Sequence, residues 1–284
     1  MDNLLTGHQD NLSAGRNRKN LVLIREDVNN IKEISDIFAR YNFDYIFHYA
    51  AIVGVQRTLA NPILVLNDIT GLKNIMSLAK NTGVKRVFFS SSSEVYGEPV
   101  ELPQNEHTTP LNSRLPYAIV KNVGEAYLKS YHKEFGMDYT IFRFFNTYGP
   151  AQSKEFVISK FLARALRNED ITIYGDGRQT RTFCYIDDNV EACLNAFKKK
   201  QFINDVVNIG SDEEISILNL AEKVVEITSS KSEIIFLPPL DEGDMSRRHP
   251  DNSKMMKLLN RDLISLEEGI RKILEKSFYL LAER

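Results

Sequence analysis

The sequence predicts an α/β protein built on a doubly wound parallel sheet, with a smaller α+β lobe in its second half. Short apolar runs alternate with amphipathic helical patterns through the first half, the order typical of βα repeats. After Gly149-Pro150 the alternation gives way to shorter, less regular elements. With 284 residues, 43% of them hydrophobic, the chain can bury a core of this size in one large domain or two coupled ones.

Each element of the first half has its own local signal. Four apolar runs have the length and composition of buried strands; they are residues 21–24, 43–49, 87–89 and 139–145. Apolar residues recur at helical spacing in three further segments; these are residues 31–41, 63–80 and 117–135. Pro116 opens the third helix, where its missing N–H costs nothing.

The elements of the second half follow the same rules. Helices are expected over residues 155–167, 187–197 and 216–228, with a final amphipathic helix from residue 265. Strands are expected over residues 171–174, 206–209 and 234–237. A turn at Gly175-Asp176-Gly177 follows the first of these strands, and a charged, proline-containing loop runs through Pro250.

Tyr117 and Lys121 are the first candidate catalytic residues. Four residues apart on a helix, they share a face, which puts the ammonium alongside the phenol ring. A phenol needs its pKa lowered by about 3 units, roughly 4 kcal/mol, to act as a base at neutral pH, and an adjacent cation favours the phenolate. The serine run from Ser90 to Ser93 follows strand 87–89 at the sheet edge where open α/β sheets bind ligands. Together these residues predict proton-transfer machinery for oxidising an alcohol.

Composition excludes several other classes of function. The net charge of −2 and pI near 6.3 provide no basic surface for nucleic acid. No apolar stretch approaches the roughly 20 residues that span a bilayer, and the N-terminus has no signal-peptide pattern, so we expect a cytoplasmic protein with no membrane partner. The only cysteines, Cys184 and Cys193, have no metal-ligand spacing and are expected to be packing residues. No metal site is predicted.

The N-terminus departs from the usual dinucleotide-binding pattern. Such folds open with a strand, a glycine-rich turn and a helix whose N-terminus holds the pyrophosphate, but the 14 glycines here contain neither GxGxxG nor GxxGxxG. The first residues of the sequence instead resemble the end of the second strand of such a fold. At this position the carboxylate of Asp2 is expected to accept a hydrogen bond from a ribose hydroxyl. We therefore expect the first βα unit to be absent, which exposes an apolar sheet edge and weakens cofactor binding.

Taken in order, these motifs resemble the extended short-chain dehydrogenase/reductase family, specifically its NAD-dependent nucleotide-sugar epimerases and dehydratases. The resemblance covers nearly the whole chain. It rests on the following segments, besides the serines, Tyr117 and Lys121: Asp2-Asn3-Leu4-Leu5-Thr6-Gly7, Asp27-Val28, His48-Tyr49-Ala50-Ala51, Arg143-Phe144-Phe145-Asn146-Thr147-Tyr148-Gly149-Pro150, Gly175-Asp176-Gly177-Arg178-Gln179-Thr180-Arg181 and Arg247-Arg248-His249-Pro250-Asp251.

The resemblance implies a Rossmann-like sheet, N-terminally truncated, that binds NAD through residues 1–149 plus about 186–210. Residues 150–185 and 211–284 are then the lobe for a nucleotide-diphosphate sugar, most simply a UDP-sugar. The implied cofactor-binding residues are Asp2, Asn3, Asp27, Val28, Tyr49, Ala50, Ala51, Ser90, Tyr117, Lys121 and Phe144. The implied substrate-binding residues are Ser92, Asn146, Arg181 and Arg248, the arginines because guanidinium forks onto phosphate oxygens. Related enzymes pair helices 63–80 and 117–135 between subunits, so a homodimer is expected.

The resemblance also implies a reaction through a 4-keto sugar. Tyr117 takes the proton of the sugar C4 hydroxyl, Lys121 lowers the pKa of the phenol and binds ribose, and Ser92 bridges the sugar oxygen. Epimerisation needs no further base, whereas a 4,6-dehydratase needs a carboxylate that removes the C5 proton. Glu94 is the candidate for this base. Ser93 stands where many dTDP-sugar dehydratases have an acidic residue, and Ser253 where decarboxylases often have Arg.

Several interpretations therefore stay open. UDP-sugar 4-epimerisation is the first, and the alternatives are a sugar-nucleotide 4,6-dehydratase or a UDP-glucuronate decarboxylase that uses Glu94. Asp68 stands where the family's Asn-x-x-Gly pattern usually offers an amide, so a negative charge replaces a donor near the cofactor. Because of this change and the missing glycine turn, a non-catalytic sugar-nucleotide-binding or partner subunit is a further interpretation.

Overall fold

A computed structural model of the chain describes residues 1–5, 7–15, 18–239 and 247–276. Thr6 of the predicted acidic turn lies outside the described residues. The strands in the described part of the chain are β1 (Tyr45–His48), β2 (Arg86–Ser92), β3 (Asp138–Phe144), β4 (Thr147–Tyr148), β5 (Ile171–Tyr174), β6 (Thr180–Thr182), β7 (Cys184–Tyr185), β8 (Asp205–Ile209), β9 (Glu214–Ser216) and β10 (Ile234–Leu237).

Helices surround these strands. The α-helices in the same residues are α1 (Ile31–Arg40), α2 (Val55–Ala60), α3 (Pro62–Leu66), α4 (Asp68–Thr82), α5 (Pro116–Phe135), α6 (Val157–Ala165), α7 (Ile186–Lys198), α8 (Ile217–Thr228), α9 (Ser253–Leu259) and α10 (Leu266–Leu274). Two short 3₁₀ helices cover Gln9–Gly15 and Ser93–Tyr96. Within the described part of the chain, none of the helices combines the length and the hydropathy that a membrane-spanning helix requires.

The central sheet has four parallel strands in the order β1-β2-β3-β8. Alternate residues of each strand point to opposite faces, so both faces of β2 carry apolar side chains. Val87 and Phe89 pack with Ile34 and Leu128 on one face, under α1, α4 and α5. Phe88 packs on the other face against α7 and α9. This doubly wound arrangement confirms the predicted fold class.

A second apolar core lies in the smaller lobe, where α6, α8 and α10 pack together. Three two-stranded sheets accompany it: β5 with β10 and β4 with β7 are parallel, and β6 with β9 is antiparallel. Helix α9, within the predicted substrate lobe, packs instead under the central sheet through Met255 and Leu258. The division into residues 1–149 plus 186–210 and the remainder stays a prediction.

Residues 21–24 do not form the predicted strand. In this part of the chain the described residues make one bridge, between Asp2 and Arg25. A strand needs a hydrogen-bonded partner along its length, and residues 1–5 provide only this short one. Leu21 and Val22 are consequently exposed.

The predicted helix over residues 63–80 is divided at Asn67. At this point the amide of Thr70 donates to the carbonyl of Asn67, three residues back (2.9 Å), so α3 ends and α4 begins. Six short elements were not expected from the sequence, because they are too short to show a clear period. They are helices α2 and α9 and strands β4, β6, β7 and β9.

The expected apolar edge is present at β1, which among the described strands has a hydrogen-bonded neighbour only on its β2 side. Tyr45 and Phe47 are 36% and 40% exposed there, although Phe47 also stacks on Phe88 with ring centroids 4.3 Å apart. The strand therefore leaves one row of backbone donors and acceptors, and part of two aromatic rings, uncovered.

Candidate active site

The candidate site begins with the close contact between α5 and β2. Pro116 is the first residue of α5, and the preceding Leu115 is extended, as residues before proline generally are. A Cβ on Gly124 would overlap the Phe89 ring, so glycine at this position lets the helix approach the strand. Tyr117, Lys121 and Gly124 share one helical face. The close approach therefore brings the tyrosine and lysine to the serines of β2.

Lys121 is buried, with only 3% of its surface exposed. Its Nζ lies 3.4 Å from the Ser90 hydroxyl, 5.6 Å from the centroid of the Tyr117 ring and 5.1 Å from that of Phe89. Burial lowers the pKa of Lys121 to about 8, although the Asp68 carboxylate acts in the opposite direction. The side chain is thus held beside the phenol, as the four-residue spacing predicts.

The pKa of Tyr117 is raised, not lowered as the sequence predicts. Burial is the largest cause, and the negative charges of Glu94 and Asp68 add to it. The hydrogen bond with Ser92 and the charge of Arg248 act in the opposite direction but do not outweigh burial. The protein alone therefore keeps the phenol neutral at neutral pH.

These side chains face one cavity of about 590 Å³, a size typical of ligand sites. Most of the residues expected at the site lie together on its wall. They are Tyr49, Ala51, Ser90, Ser92, Glu94, Tyr117, Lys121, Phe144, Asn146 and Arg248. The remaining wall is largely apolar, with Phe156, Val157, Phe183 and Ile186 among its residues.

Glu94 and Arg248 form a pair of opposite charges on this wall, which Lys121 also lines. The Glu94 amide donates to the Ser92 hydroxyl (3.2 Å), which fixes the start of the 3₁₀ turn Ser93–Tyr96. The Arg248 Nη2 lies 3.7 Å from Glu94 Oε1, and the Arg248 side chain is 8% exposed. Its Nε is buried and has no hydrogen-bond partner among the described residues. This guanidinium can therefore still bind an anionic ligand.

Some predicted residues lie elsewhere. Asn3 Nδ2 donates to Asp27 Oδ2 (3.1 Å), so these two residues form a pair next to Val28, while Asp2 Oδ1 accepts from the Leu4 amide (2.6 Å). They do not line the cavity, and neither does the exposed Ala50.

Arg181 is also absent from the cavity wall. It is buried in β6, 7% exposed, and its Nη1 donates to the carbonyl of Thr180 (2.7 Å). Spacing along the chain could not show this, because a strand points successive side chains to opposite faces.

Asp68 is close enough to both Lys121, on the cavity wall, and Asp27, outside the cavity, for their charges to act on its pKa. Its Oδ2 accepts from the Ile52 amide (2.8 Å), next to the cavity residue Ala51. Burial raises its pKa, as does Asp27, while the Ile52 hydrogen bond and Lys121 lower it. The carboxylate thus retains a backbone contact that an amide oxygen would also make.

A buried ion pair supports the site from behind. Arg143 donates through Nε and Nη2 to the two oxygens of Glu125 (2.8 and 2.7 Å), and both side chains are at most 2% exposed. Ser91 donates to Glu125 Oε1 (2.7 Å), and Arg143 Nη1 donates to the Tyr96 hydroxyl (2.9 Å). The pair adjoins the candidate site on two sides, because Ser91 lies between two of its serines and Glu125 is one turn beyond Lys121.

Helix α7 contributes wall residues that the sequence does not single out. Asn189, Val190 and Cys193 of this helix line the cavity. Cys184 and Cys193 are buried free thiols, so both pack as expected, but Cys193 also reaches the cavity. The amphipathic period of α7 indicates a helix packed on one face, but only its packing in the fold turns these residues to the cavity.

The available donors fit the two ends of NAD. Lys121 and Ser90 offer an ammonium and a hydroxyl to the same cavity that the aromatic ring of Phe144 lines, which suits a ribose and a nicotinamide ring. Asn3 and Asp27 offer an amide and a carboxylate away from the cavity, which suits the hydroxyls and base of adenosine. The described residues contain no group of three or more His, Cys, Asp or Glu that could hold a metal ion.

Comparison with known proteins gives a family. A sequence model described as the NAD dependent epimerase/dehydratase family matches residues 4–210. UDP-glucuronic acid decarboxylase 1 of Danio rerio is 34% identical over 97% of this chain, which spans 65% of that protein's length.

Solved structures show the same fold. UDP-glucose 4-epimerase of Thermotoga maritima, crystallised with UDP-glucose, has a TM-score of 0.91 and 31% identity, covering 99% of this chain and 90% of its own. UDP-glucose 4-epimerase of Thermus thermophilus, in complex with NAD, has a TM-score of 0.87 and 27% identity, covering 96% and 88%.

Proposed function

The chain belongs to the NAD-dependent epimerase/dehydratase family, and on this premise we propose that it is an enzyme that oxidises the C4 hydroxyl of a nucleotide sugar. The first candidate reaction is 4-epimerisation of a UDP-sugar. The observation that carries the proposal is the meeting of Tyr117, Lys121 and Ser92 on one cavity that also holds an arginine, Arg248.

The protein's part in the reaction is to hold and move a proton. NAD, held by the cofactor-binding residues, would supply the acceptor for the hydride of C4. The Tyr117 oxygen takes the proton of the C4 hydroxyl, and Ser92, which hydrogen-bonds to Tyr117, orients the sugar oxygen. Because burial raises the pKa of Tyr117 and the charge of Arg248 only partly offsets it, the phenolate needs further positive charge beside the ring, a role that we assign to the Lys121 ammonium.

We assign the remaining predicted residues by the same reasoning. Arg248, whose Nε has no hydrogen-bond partner among the described residues, binds the anionic part of the nucleotide sugar, and Asn146 lines the same cavity. The group that holds the adenosine end of NAD lies outside the cavity; it is Asp2, Asn3, Asp27 and Val28. Residues 1–149 and 186–210 then carry the cofactor, and the smaller lobe carries the sugar nucleotide.

Dehydration or decarboxylation is the second candidate, and the position of Glu94 favours it. This carboxylate lines the same cavity and is close enough to raise the pKa of Tyr117. In dehydration, a carboxylate beside a 4-keto sugar can remove the acidified C5 proton. In decarboxylation, the bond from C5 to the carboxylate breaks and releases CO₂, and the same group in its protonated form can return a proton to C5. Epimerisation requires neither step. The 34% identity with a UDP-glucuronic acid decarboxylase fits this candidate too.

Replacing Glu94 by glutamine separates the two candidates. In an epimerase, Glu94→Gln retains turnover, and because a negative charge that raises the pKa of Tyr117 is removed, the rising limb of the pH–rate profile moves to lower pH, by up to about 1 unit. In a dehydratase or decarboxylase the same change lowers turnover by about 10²–10⁴-fold. Product analysis by mass spectrometry and NMR, with UDP-glucose and UDP-glucuronate as substrates, identifies the reaction.

Glu134→Gln is the matched control, because this exposed carboxylate lies on α5 away from the cavity. It should leave both the product and the pH profile unchanged. An unshifted profile in an active Glu94→Gln enzyme would show that Glu94 does not act on Tyr117.

The enzyme is further proposed to be a homodimer through α3, α4 and α5. Ile63 on α3 is 70% exposed and Ile119 on α5 is 39% exposed, which leaves an apolar surface on these helices.

Ile63→Glu should convert the dimer to a monomer in light scattering after size-exclusion chromatography, because it buries a charge in the interface. Val100→Glu changes a similarly exposed residue, 63%, outside the helices and should not. An unchanged mass for Ile63→Glu would exclude this interface.

A further inference from the structure

An uncharged polar pair lies in the largely apolar wall beside α7. Asn189, 2% exposed, donates from Nδ2 to the hydroxyl oxygen of Thr147 (2.6 Å), and both residues line the cavity. The Oδ1 of Asn189 is buried and has no partner among the residues that the structure describes. Their neighbours on the wall include Ile186, Phe183 and Val190.

This pair offers one acceptor and one donor to a ligand. The Thr147 hydroxyl oxygen already accepts from Asn189, so its own proton is available for donation. Asn189 Oδ1 can accept, and a buried acceptor left without a donor costs free energy. A ligand group with an N–H and a carbonyl on the same carbon is complementary to such a pair.

The aromatic side of the cavity indicates which ligand carries that group. Thr147 lies three residues after Phe144, whose ring meets Tyr49 edge-on with centroids 5.8 Å apart. These side chains form a wall suited to a flat ring. Glu94 and Arg248 form a separate pair of charges, and the proposed function assigns both to the sugar nucleotide and its reaction.

We propose that Asn189 and Thr147 bind the carboxamide of the nicotinamide ring of NAD. The carboxamide NH₂ donates to Asn189 Oδ1, and its carbonyl accepts from the Thr147 hydroxyl. This pairing fixes the rotation of the ring and therefore which face is turned to the sugar. The inference rests on the family's use of NAD and on the cavity, and it holds for any of the candidate sugar reactions.

The test compares NAD⁺ with 3-acetylpyridine adenine dinucleotide, which has a methyl group in place of the amide NH₂. Calorimetric titration of the full chain without a sugar substrate should show NAD⁺ bound about tenfold more tightly. In Asn189→Leu this preference should disappear. In Thr147→Val both dinucleotides should bind more weakly, because both retain the ring carbonyl. Asn81→Leu, the same change at an exposed site on α4, should keep the preference.

Three results would overturn the inference. The first is an unchanged preference in Asn189→Leu, and the second is no binding of either dinucleotide by the unaltered protein. The third is a loss of UDP-glucose binding in Asn189→Leu with the dinucleotide preference intact, which would assign the pair to the sugar. Because no turnover is measured, failure of the proposed sugar reaction leaves this result unaffected.

Discussion

Tyr117→Phe should lower turnover by about 10²–10⁴-fold, the range that a general acid–base group contributes. The change removes one oxygen, the atom proposed to take the C4 proton, and leaves the ring whose centroid lies 5.6 Å from Lys121 Nζ. UDP-glucose binding should therefore remain nearly unchanged. Steady-state kinetics and calorimetric titration of the same preparation measure the two effects separately.

Tyr127→Phe is the matched control, since Tyr127 lies on the same helix but packs against the apolar core under α1, α4 and α5 and does not line the cavity. It should retain full turnover. Comparable turnover in Tyr117→Phe would remove Tyr117 from the mechanism.

Arg143→Ala should lower the free energy of unfolding by about 3–5 kcal/mol, the usual effect of removing one partner of a buried ion pair. The Glu125 carboxylate, 1% exposed, would lose both hydrogen bonds from the guanidinium and stay buried. Urea denaturation measures the loss. A loss below about 1 kcal/mol would mean that the Glu125–Arg143 ion pair stabilises the fold no more than a surface ion pair does.

Lys85→Ala is the control for this change. Lys85 pairs with Asp44 at 2.7 Å, but their side chains are 65% and 61% exposed. Surface pairs of this kind contribute about 0–1 kcal/mol, so the variant should unfold at nearly the same urea concentration as the unaltered protein.

The same ion pair should make stability depend on pH. Burial raises the pKa of Glu125, but hydrogen bonds and charge from Arg143, with Ser91 and Lys129, outweigh burial and leave the pKa lowered. A carboxyl whose folded pKa is below its unfolded pKa stabilises the fold above the unfolded value, and this contribution is lost as pH falls through the folded one. Urea denaturation at acidic and neutral pH should therefore show a smaller effect of Arg143→Ala in acid.

The parts of the site that depend on local spacing were predictable. Tyr117 and Lys121 are four residues apart on one helix, and Ser90 and Ser92 follow an apolar run, so helix and strand periods alone place them at one sheet edge. What the sequence could not provide was the local electrostatics. The pKa of Tyr117 depends on burial and on the nearby carboxylates, and neither burial nor these distances follow from spacing.

Other features depend on partners far apart in the chain. The Glu125–Arg143 pair forms because β3 lies beside β2 with Arg143 opposite Ser91, a register that no local pattern specifies. Residues 21–24 have the composition of a strand, but a strand also needs a neighbour along its length, which residues 1–5 do not provide. Asn189 was missed for a similar reason, because only the packing of α7 turns it to the cavity.

The most direct test of the account is to detect oxidation at C4 of a bound sugar. The protein is loaded with NAD⁺, mixed with UDP-glucose, and followed by the near-ultraviolet absorbance of reduced nicotinamide. The reaction is then quenched with borodeuteride, which labels a ketone at the carbon where it stood. The account predicts that absorbance rises and that deuterium appears at C4, and that Tyr117→Phe abolishes both. Binding of UDP-glucose and NAD⁺ with neither signal in the unaltered protein would contradict it.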